Sequence, residues 1–268
     1  MPGEGHEDPT EAQIRWQVFQ AIAYGAKGLL YFAFHPFGVG LPGGLVRCEP
    51  KHAVGPCPNA LEPTHHYWQA QRINSAVLAI APVLMRATVL GIADLRYQTV
   101  PNPRPVLAAM VDGGCGLLDI SRGEWTVSCF ALAPDAAATA AEGPAATATK
   151  ALMISNYEHA YTQYASVSWA CAKTQPLSCV SRSVHEIDQR TGEAREVEDD
   201  EPDLPGFQLY LDAGSARLFV IQDGPKESSS FKSDDAARLT SGVVPLVSDL
   251  ERLAALHRSG DRQRLQRS

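Results

Sequence analysis

The first apolar periodicity in the chain begins at Ile14, after a polar opening. Ile14, Val18 and Ile22, with Ala21 offset, recur at helical spacing. Pro9-Thr10-Glu11-Ala12-Gln13 leads into them, with Thr10 placed to cap the first turn and Gln13 to complete a capping box. Gly25 is a C-terminal stop. The run Gly28-Leu29-Leu30-Tyr31-Phe32-Ala33-Phe34 then abandons alternation. A strand apolar on both sides is what a parallel sheet covered on both faces demands. Residues 35–63 read as a long loop rich in Gly and Pro. Thr64 caps a second helix predicted from His65 to about Arg86, with Tyr67, Ile73, Val77, Ile80 and Leu84 toward a core. Pro82 is expected to kink or split its last turns.

From Leu95 the texture changes to short β-rich runs: Val106–Val111, Gly116–Ile120, Trp125–Leu132, Ala151–Ser155, Ala165–Trp169, Ser183–Ile187, Gly206–Leu211 and Arg217–Gln222. Asp112-Gly113-Gly114, Arg190-Thr191-Gly192 and Asp212-Ala213-Gly214 are turn signals between them. Regular short strands so punctuated predict an antiparallel sandwich or barrel. Residues 133–149 are low in complexity and read as an insertion between strands. Residues 224–235 read as a linker, Val247–His257 as a short helix, and the Arg-rich end as a solvated tail. The texture breaks near residues 90–104, where Gly91, Pro101, Pro103 and Pro105 cluster.

Composition narrows the partners. Among 268 residues, 23 basic side chains stand against 30 acidic ones, a net charge of −7. That argues against a nucleic-acid or anionic-membrane partner, which would call for a basic face. No apolar run approaches the roughly 20 residues needed to span a bilayer. The opening MPGEGHEDPTE lacks the pattern of a secretory signal. Of the six cysteines, Cys48 and Cys57 bracket one loop, and Cys171 and Cys179 another. Two close pairs in loops read as local disulfides of an oxidising, extracellular compartment; the alternative is six ordinary thiols.

A single strand of the parallel type needs neighbours on both edges. The expectation is therefore that this chain is the C-terminal part of a longer protein that supplies them. PTEAQIRWQVFQAIAYGAKGLLYFAF resembles a segment of (β/α)8-barrel glycoside hydrolases, the β-galactosidase-like relatives of glycoside hydrolase family 42. In that family the unit is the seventh helix and eighth strand. Pro63-Thr64-His65-His66-Tyr67, Ile73-Asn74 and Ala81-Pro82-Val83-Leu84 resemble the eighth helix. Ala151–Asn156, Glu186-Ile187-Asp188 to Glu193, Leu209–Leu211 and Ala216–Phe219 resemble strands of an accessory β-sandwich. The resemblance implies an α/β plus all-β chain. Residues 1–92 would be the C-terminal portion of a (β/α)8 barrel, 93–223 an antiparallel β-sandwich, and 224–268 a linker with a short helix and tail.

It also implies a glycosidase acting on β-linked glycosides, in which two carboxyl groups flank the scissile bond. In the family these come from earlier strands, so no catalytic residue is assigned here, and no cofactor or metal. Glu4 and Glu7 are the acids nearest that face, and a solvated start of the chain is the plainer reading. At the strand end, Phe34, His35 and Phe37 are the candidate substrate-binding residues, ahead of Tyr31 and Phe32. Aromatic faces present a flat apolar surface to sugar C–H groups, and an imidazole adds hydrogen bonds. Arg15 and Gln17 read as surface or inter-helix contacts. His65 and His66 point about a hundred degrees apart on a helix, so they are not expected to share a metal. Cys48, Cys57, His52 and His65 match no standard zinc spacing. There is no Gly-x-Ser-x-Gly, P-loop or Gly-x-Gly-x-x-Gly signature.

Two rival functions remain open. One is a non-catalytic carbohydrate-binding module, with Trp125, Tyr164 and Trp169 as candidates if exposed. The other is an interaction domain whose orphan strand completes another chain's sheet, the missing barrel portion being one such partner.

Overall fold

The computed structural model describes residues 8–31, 44–47, 62–95, 115, 117–121, 123–133, 150–169, 182–197 and 206–223. The chain divides into two compact units, Met1–Ser230 and Phe231–Ser268. The second lies wholly outside the described residues, as do the sequence-predicted strand Val106–Val111, the insertion, the linker and the C-terminal helix.

The elements run α1 (Glu11–Ala23), β1 (Val46–Arg47), β2 (Glu62–Pro63), α2 (His65–Arg86), β3 (Ala87–Asp94), β4 (Leu117–Ile120), β5 (Trp125–Leu132), β6 (Lys150–Asn156), β7 (Gln163–Trp169), β8 (Arg182–Ile187), β9 (Ala194–Glu196), β10 (Gly206–Leu211) and β11 (Ala216–Asp223). Six strands form one antiparallel sheet in the order β3-β5-β6-β11-β8-β9. Three form a second, β10-β7-β4, also antiparallel. β1 and β2 make a two-stranded ribbon.

The large sheet is covered on both sides. On one face Val127, Cys129, Leu152, Ile154 and Phe219 share a core with Ile120, Val167, Phe207, Leu209 and Leu211 of the small sheet. On the other face Phe130, Met153, Leu218 and Val220 pack with Val18, Phe19 and Ile22 of α1 and Ile73, Ile80 and Val83 of α2. The layers are thus helices, six strands, three strands. β5 and β6 lie between two covers, which is why WTVSCF and ALMISN are buried without alternation.

The first helix forms for the reasons its sequence states. Thr10 accepts from the Gln13 backbone N–H, and the Gln13 side chain accepts from that of Thr10. At the other end Gly25 N–H donates to Ile22 O (2.8 Å) and Ala26 N–H to Ala21 O (3.0 Å), a Schellman turn that Gly25 closes at φ 93°. Thr64 heads α2 differently from expectation: its hydroxyl donates to Gly44 O (2.6 Å) and Leu45 O (3.1 Å), fastening the ribbon rather than capping the helix. Pro82 lies within α2, which continues to Arg86.

Three features depart from the sequence reading. Residues 28–31 carry no strand pairing, and Phe32–Phe34 lie outside the described residues. Every pairing among the described residues is antiparallel, so the barrel portion is not on view. Second, β3 runs directly out of α2 and forms an edge strand of the large sheet, its register shifting at Val89/Gly91. The glycine that read as a break is a bulge within a strand. Third, Cys115, just before β4, is joined to Cys129 of β5, tying the two sheets through their shared core. The local cysteine pairs expected at 48/57 and 171/179 lie outside the described residues.

Candidate functional site

α1 and α2 run side by side in the same direction, as three contacts fix. At their starts Asp8 meets His66 and Glu11 accepts from Arg72 Nη2 at 2.6 Å. At their ends Lys27 Nζ donates to Leu84 O and to Ala87 O, the latter at 2.5 Å. Between them the chain turns back, and Tyr31 Oη donates to Asn74 Oδ1 at 2.9 Å. The ten helical residues from Leu84 back to Asn74 cover about 15 Å, a distance that the four residues from Lys27 to Tyr31 span in the opposite direction. Residues 27–31 therefore run antiparallel to both helices. Burial lowers the Lys27 pKa and raises that of Tyr31.

At the helix starts, four polar side chains converge. His66 Nε2 lies 2.7 Å from Asp8 Oδ1, and His65 Nε2 lies 3.3 Å from Asp8 Oδ2. The far nitrogen of His66, Nδ1, is 2.7 Å from Gln69 Oε1. The expectation that His65 and His66 diverge is corrected here. Their rings tilt together, with centroids 4.0 Å apart, because both reach back over the first turn of α2 to one carboxylate. The hydrogen bond with His66 holds the Asp8 carboxyl below its ordinary pKa; burial opposes this, and the charges of both histidines reinforce it.

A cleft of about 330 Å³ opens beside the helices, lined by Glu11, Arg15 and Arg72, by Asp188 and Arg190 from the β8–β9 turn, and by Arg217 of β11. Glu11 is clamped by Arg72 and by Arg15 (3.2 Å), and the hydrogen bond from Arg72 lowers its pKa. Asp188 is also lowered: burial pushes it up, but the backbone N–H groups of Arg190 and Thr191 and the charge of Arg195 outweigh that. Arg217 pairs with Glu186. A glycosidase acid must keep its proton until it meets the leaving group, so its pKa is raised. Glu11 and Asp188 are set the opposite way. The cleft is a recess of ionised groups suited to hydrogen bonding, not to proton donation.

The sequence-predicted substrate residues Phe34, His35 and Phe37 lie outside the described residues, as do Phe32, Glu4, Glu7, Cys48, His52 and Cys57. Tyr31 is half-buried and committed to Asn74. Arg15 pairs with Glu11 four residues earlier on its own helix, and Gln17 is exposed. Trp125 is fully buried, its Nε1 donating to Ser121 O at 3.0 Å, so it offers no binding surface. Tyr164 is exposed, and Tyr210 lies directly opposite it on the neighbouring strand. Sequence reasoning missed Asp8, because nothing local links it to a histidine pair 57 residues on. It also missed Gln69, whose only signal was its place one turn after His66.

No protein-family model matches the chain, and no curated protein matches it. Among solved structures it is similar to CelM2, a bifunctional glucanase-xylanase protein from a metagenome library, at 16% identity and a TM-score of 0.21. The match covers 45% of this chain and 22% of that one.

Proposed function

We propose that this chain supplies the last helix–strand–helix unit of a (β/α)8-barrel glycoside hydrolase acting on β-linked glycosides, together with its accessory β-sandwich. The observation that carries the reading is the course of α1, residues 27–31 and α2: two parallel helices with the segment that follows α1 returning alongside α2, from Lys27 at its end to Tyr31 at Asn74. That is the course of a helix–strand–helix unit in a parallel α/β layer, and it falls on the residues whose motifs resemble that family. On this reading Phe34, His35 and Phe37 sit where the strand meets its loop and form a sugar subsite. The acid and nucleophile come from strands outside this chain, which by itself is not active. The Cys115–Cys129 disulfide favours an oxidising, extracellular setting.

The test is to read the genomic frame upstream of Met1. An open frame of roughly 200 residues with two strand-end carboxylates supports the proposal. An in-frame stop directly upstream overturns it for this chain. In the longer protein, Phe34→Ala or His35→Ala should raise KM for an aryl β-glycoside about tenfold with kcat less affected, as expected for lost substrate positioning.

One observation favours a second reading, a glycan-binding module. Tyr164 and Tyr210 are cross-strand partners, 52% and 62% exposed, on the outer face of the small sheet. Ser166 and Gln208 are the next pair on that face. Paired aromatics flanked by polar groups suit a sugar, which has apolar faces and a hydroxyl rim. Retardation of the chain in gels containing a β-glucan, lost in Tyr164→Ala/Tyr210→Ala, would favour this reading. Unretarded migration of the parent chain would remove it.

A further inference from the structure

We infer that Asp8, His65 and His66 form a binding site for a divalent cation of the zinc class, with Gln69 as the group that orients it. The ligating atoms of the three side chains all lie within 4.8 Å of one another. A tetrahedral zinc with bonds of about 2.0–2.2 Å spaces its ligand atoms about 3.4 Å apart. The observed separations of 2.7 Å and 3.3 Å from the carboxylate to the two imidazoles need only a small opening. Two imidazole nitrogens and one carboxylate oxygen are a ligand set that zinc accepts, with a fourth position left open.

The site is built, not a chance meeting of surface groups. The His66 side chain is only 5% exposed. Gln69 Oε1 lies 2.7 Å from its Nδ1 and Asp8 Oδ1 lies 2.7 Å from its Nε2, so in the tautomer with the proton on Nδ1 the Gln69 oxygen accepts it and Nε2 is left to ligate. A carboxylate or carboxamide on the far nitrogen of a metal-binding histidine is the usual way of fixing its tautomer and ring plane. In that tautomer Nε2 and the Asp8 oxygen are both acceptors, and a cation between them satisfies both. A proton serves His66 alone. His65 aims its own Nε2 at the other oxygen of the same carboxylate, 3.3 Å away. One divalent ion satisfies all three groups at once. Bound there, it clips the segment leading into α1 to the first turn of α2.

The test titrates the full 268-residue chain, stripped with a chelator, with zinc against a chromophoric competitor, and follows thermal unfolding with and without the ion. One equivalent should bind and raise Tm in proportion to occupancy. Asp8→Asn and His65→Ala should each abolish that binding and with it the zinc-dependent rise in Tm, whatever their effect on the metal-free protein. Gln69→Ala keeps all three ligands and should weaken zinc by about 10–100-fold. Cobalt should give visible ligand-field bands in the parent chain and lose them in Asp8→Asn. Unchanged zinc affinity in Asp8→Asn and His65→Ala would place the ion elsewhere in the chain and overturn the assignment. Absence of stoichiometric binding would overturn it too, leaving a proton-bridged trio.

Discussion

Gly214 sits at φ 66° in the turn between β10 and β11, directly beneath α1. A Cβ there would lie 2.3 Å from Ala12 O and 2.9 Å from the Trp16 side chain. Gly214→Ala should therefore cost about 1–3 kcal/mol in urea unfolding, combining backbone strain with displacement of the helix. Gly91 makes the contrast: a Cβ there meets nothing within 4 Å, so Gly91→Ala should change the midpoint little. Gln20 is the other decisive single residue. It is buried on the inner face of α1, where its amide donates to Ser155 Oγ (3.0 Å) and accepts from Thr126 Oγ1 (2.8 Å). Gln20→Ala strands two buried hydroxyls and should cost about 1–3 kcal/mol for those unmet partners. Gln20 lies about 160° around the helix from the Ile14–Val18–Ile22 stripe, so nothing local in the sequence marks it as buried.

Among the elements, β5 and β6 carry the largest share of the core, each buried on both faces. The Cys115–Cys129 bond closes a loop of 14 residues between the two sheets. Reducing it, or replacing both cysteines with alanine, should cost about 2–4 kcal/mol, read as a shift in urea midpoint between oxidised and reduced protein. Asn156 ends β6 and is fully buried. Its amide donates to Tyr161 O, Leu211 O and Asp212 O, and its Oδ1 accepts from Glu158 N–H and Gln163 Nε2. It pins the β6–β7 and β10–β11 turns together. Asn156→Asp keeps the shape but turns a donor into a charge facing three carbonyls, so the folded chain should become hard to recover. Its soluble yield beside the parent chain checks that. The strand ending on Asn was visible in the sequence; the two turns it joins were not.

For the whole molecule, the described groups that titrate below neutral pH and that the fold perturbs act in one direction. His185 is lowered by burial, with Glu196 partly offsetting it. Asp8, Glu11 and Asp188 are lowered by their hydrogen-bonding and cationic partners, against burial. In each case the unfolded chain takes up the proton first. These groups therefore contribute stability above their ordinary pKa values and lose it as pH falls. The His185 contribution should fade below about pH 6.5 and those of the carboxylates below about pH 4. Urea midpoints at about pH 7.5, 5.5 and 3.5 should fall in that order. A rise from the first to the second would contradict the direction assigned to His185.

Both described helices with their starts, and seven of the described strands, could be read from the chain because each is written locally. Thr10 and Gln13 lie three residues apart, Gly25 follows the last apolar position, and Trp125–Leu132 has its run of β-formers. Propensity, capping and period act over a few residues, so the sequence by itself determines them. What it did not hold was which faces meet. That α1 and α2 cover the outer face of an antiparallel sheet, that β3 continues α2 into that sheet, and that Cys115 pairs with Cys129 follow from contacts between distant segments. The same is true of the candidate metal site. Asp8 joins His65 and His66 only because two helices lie parallel and bring their starts to one end, and no local pattern encodes that meeting.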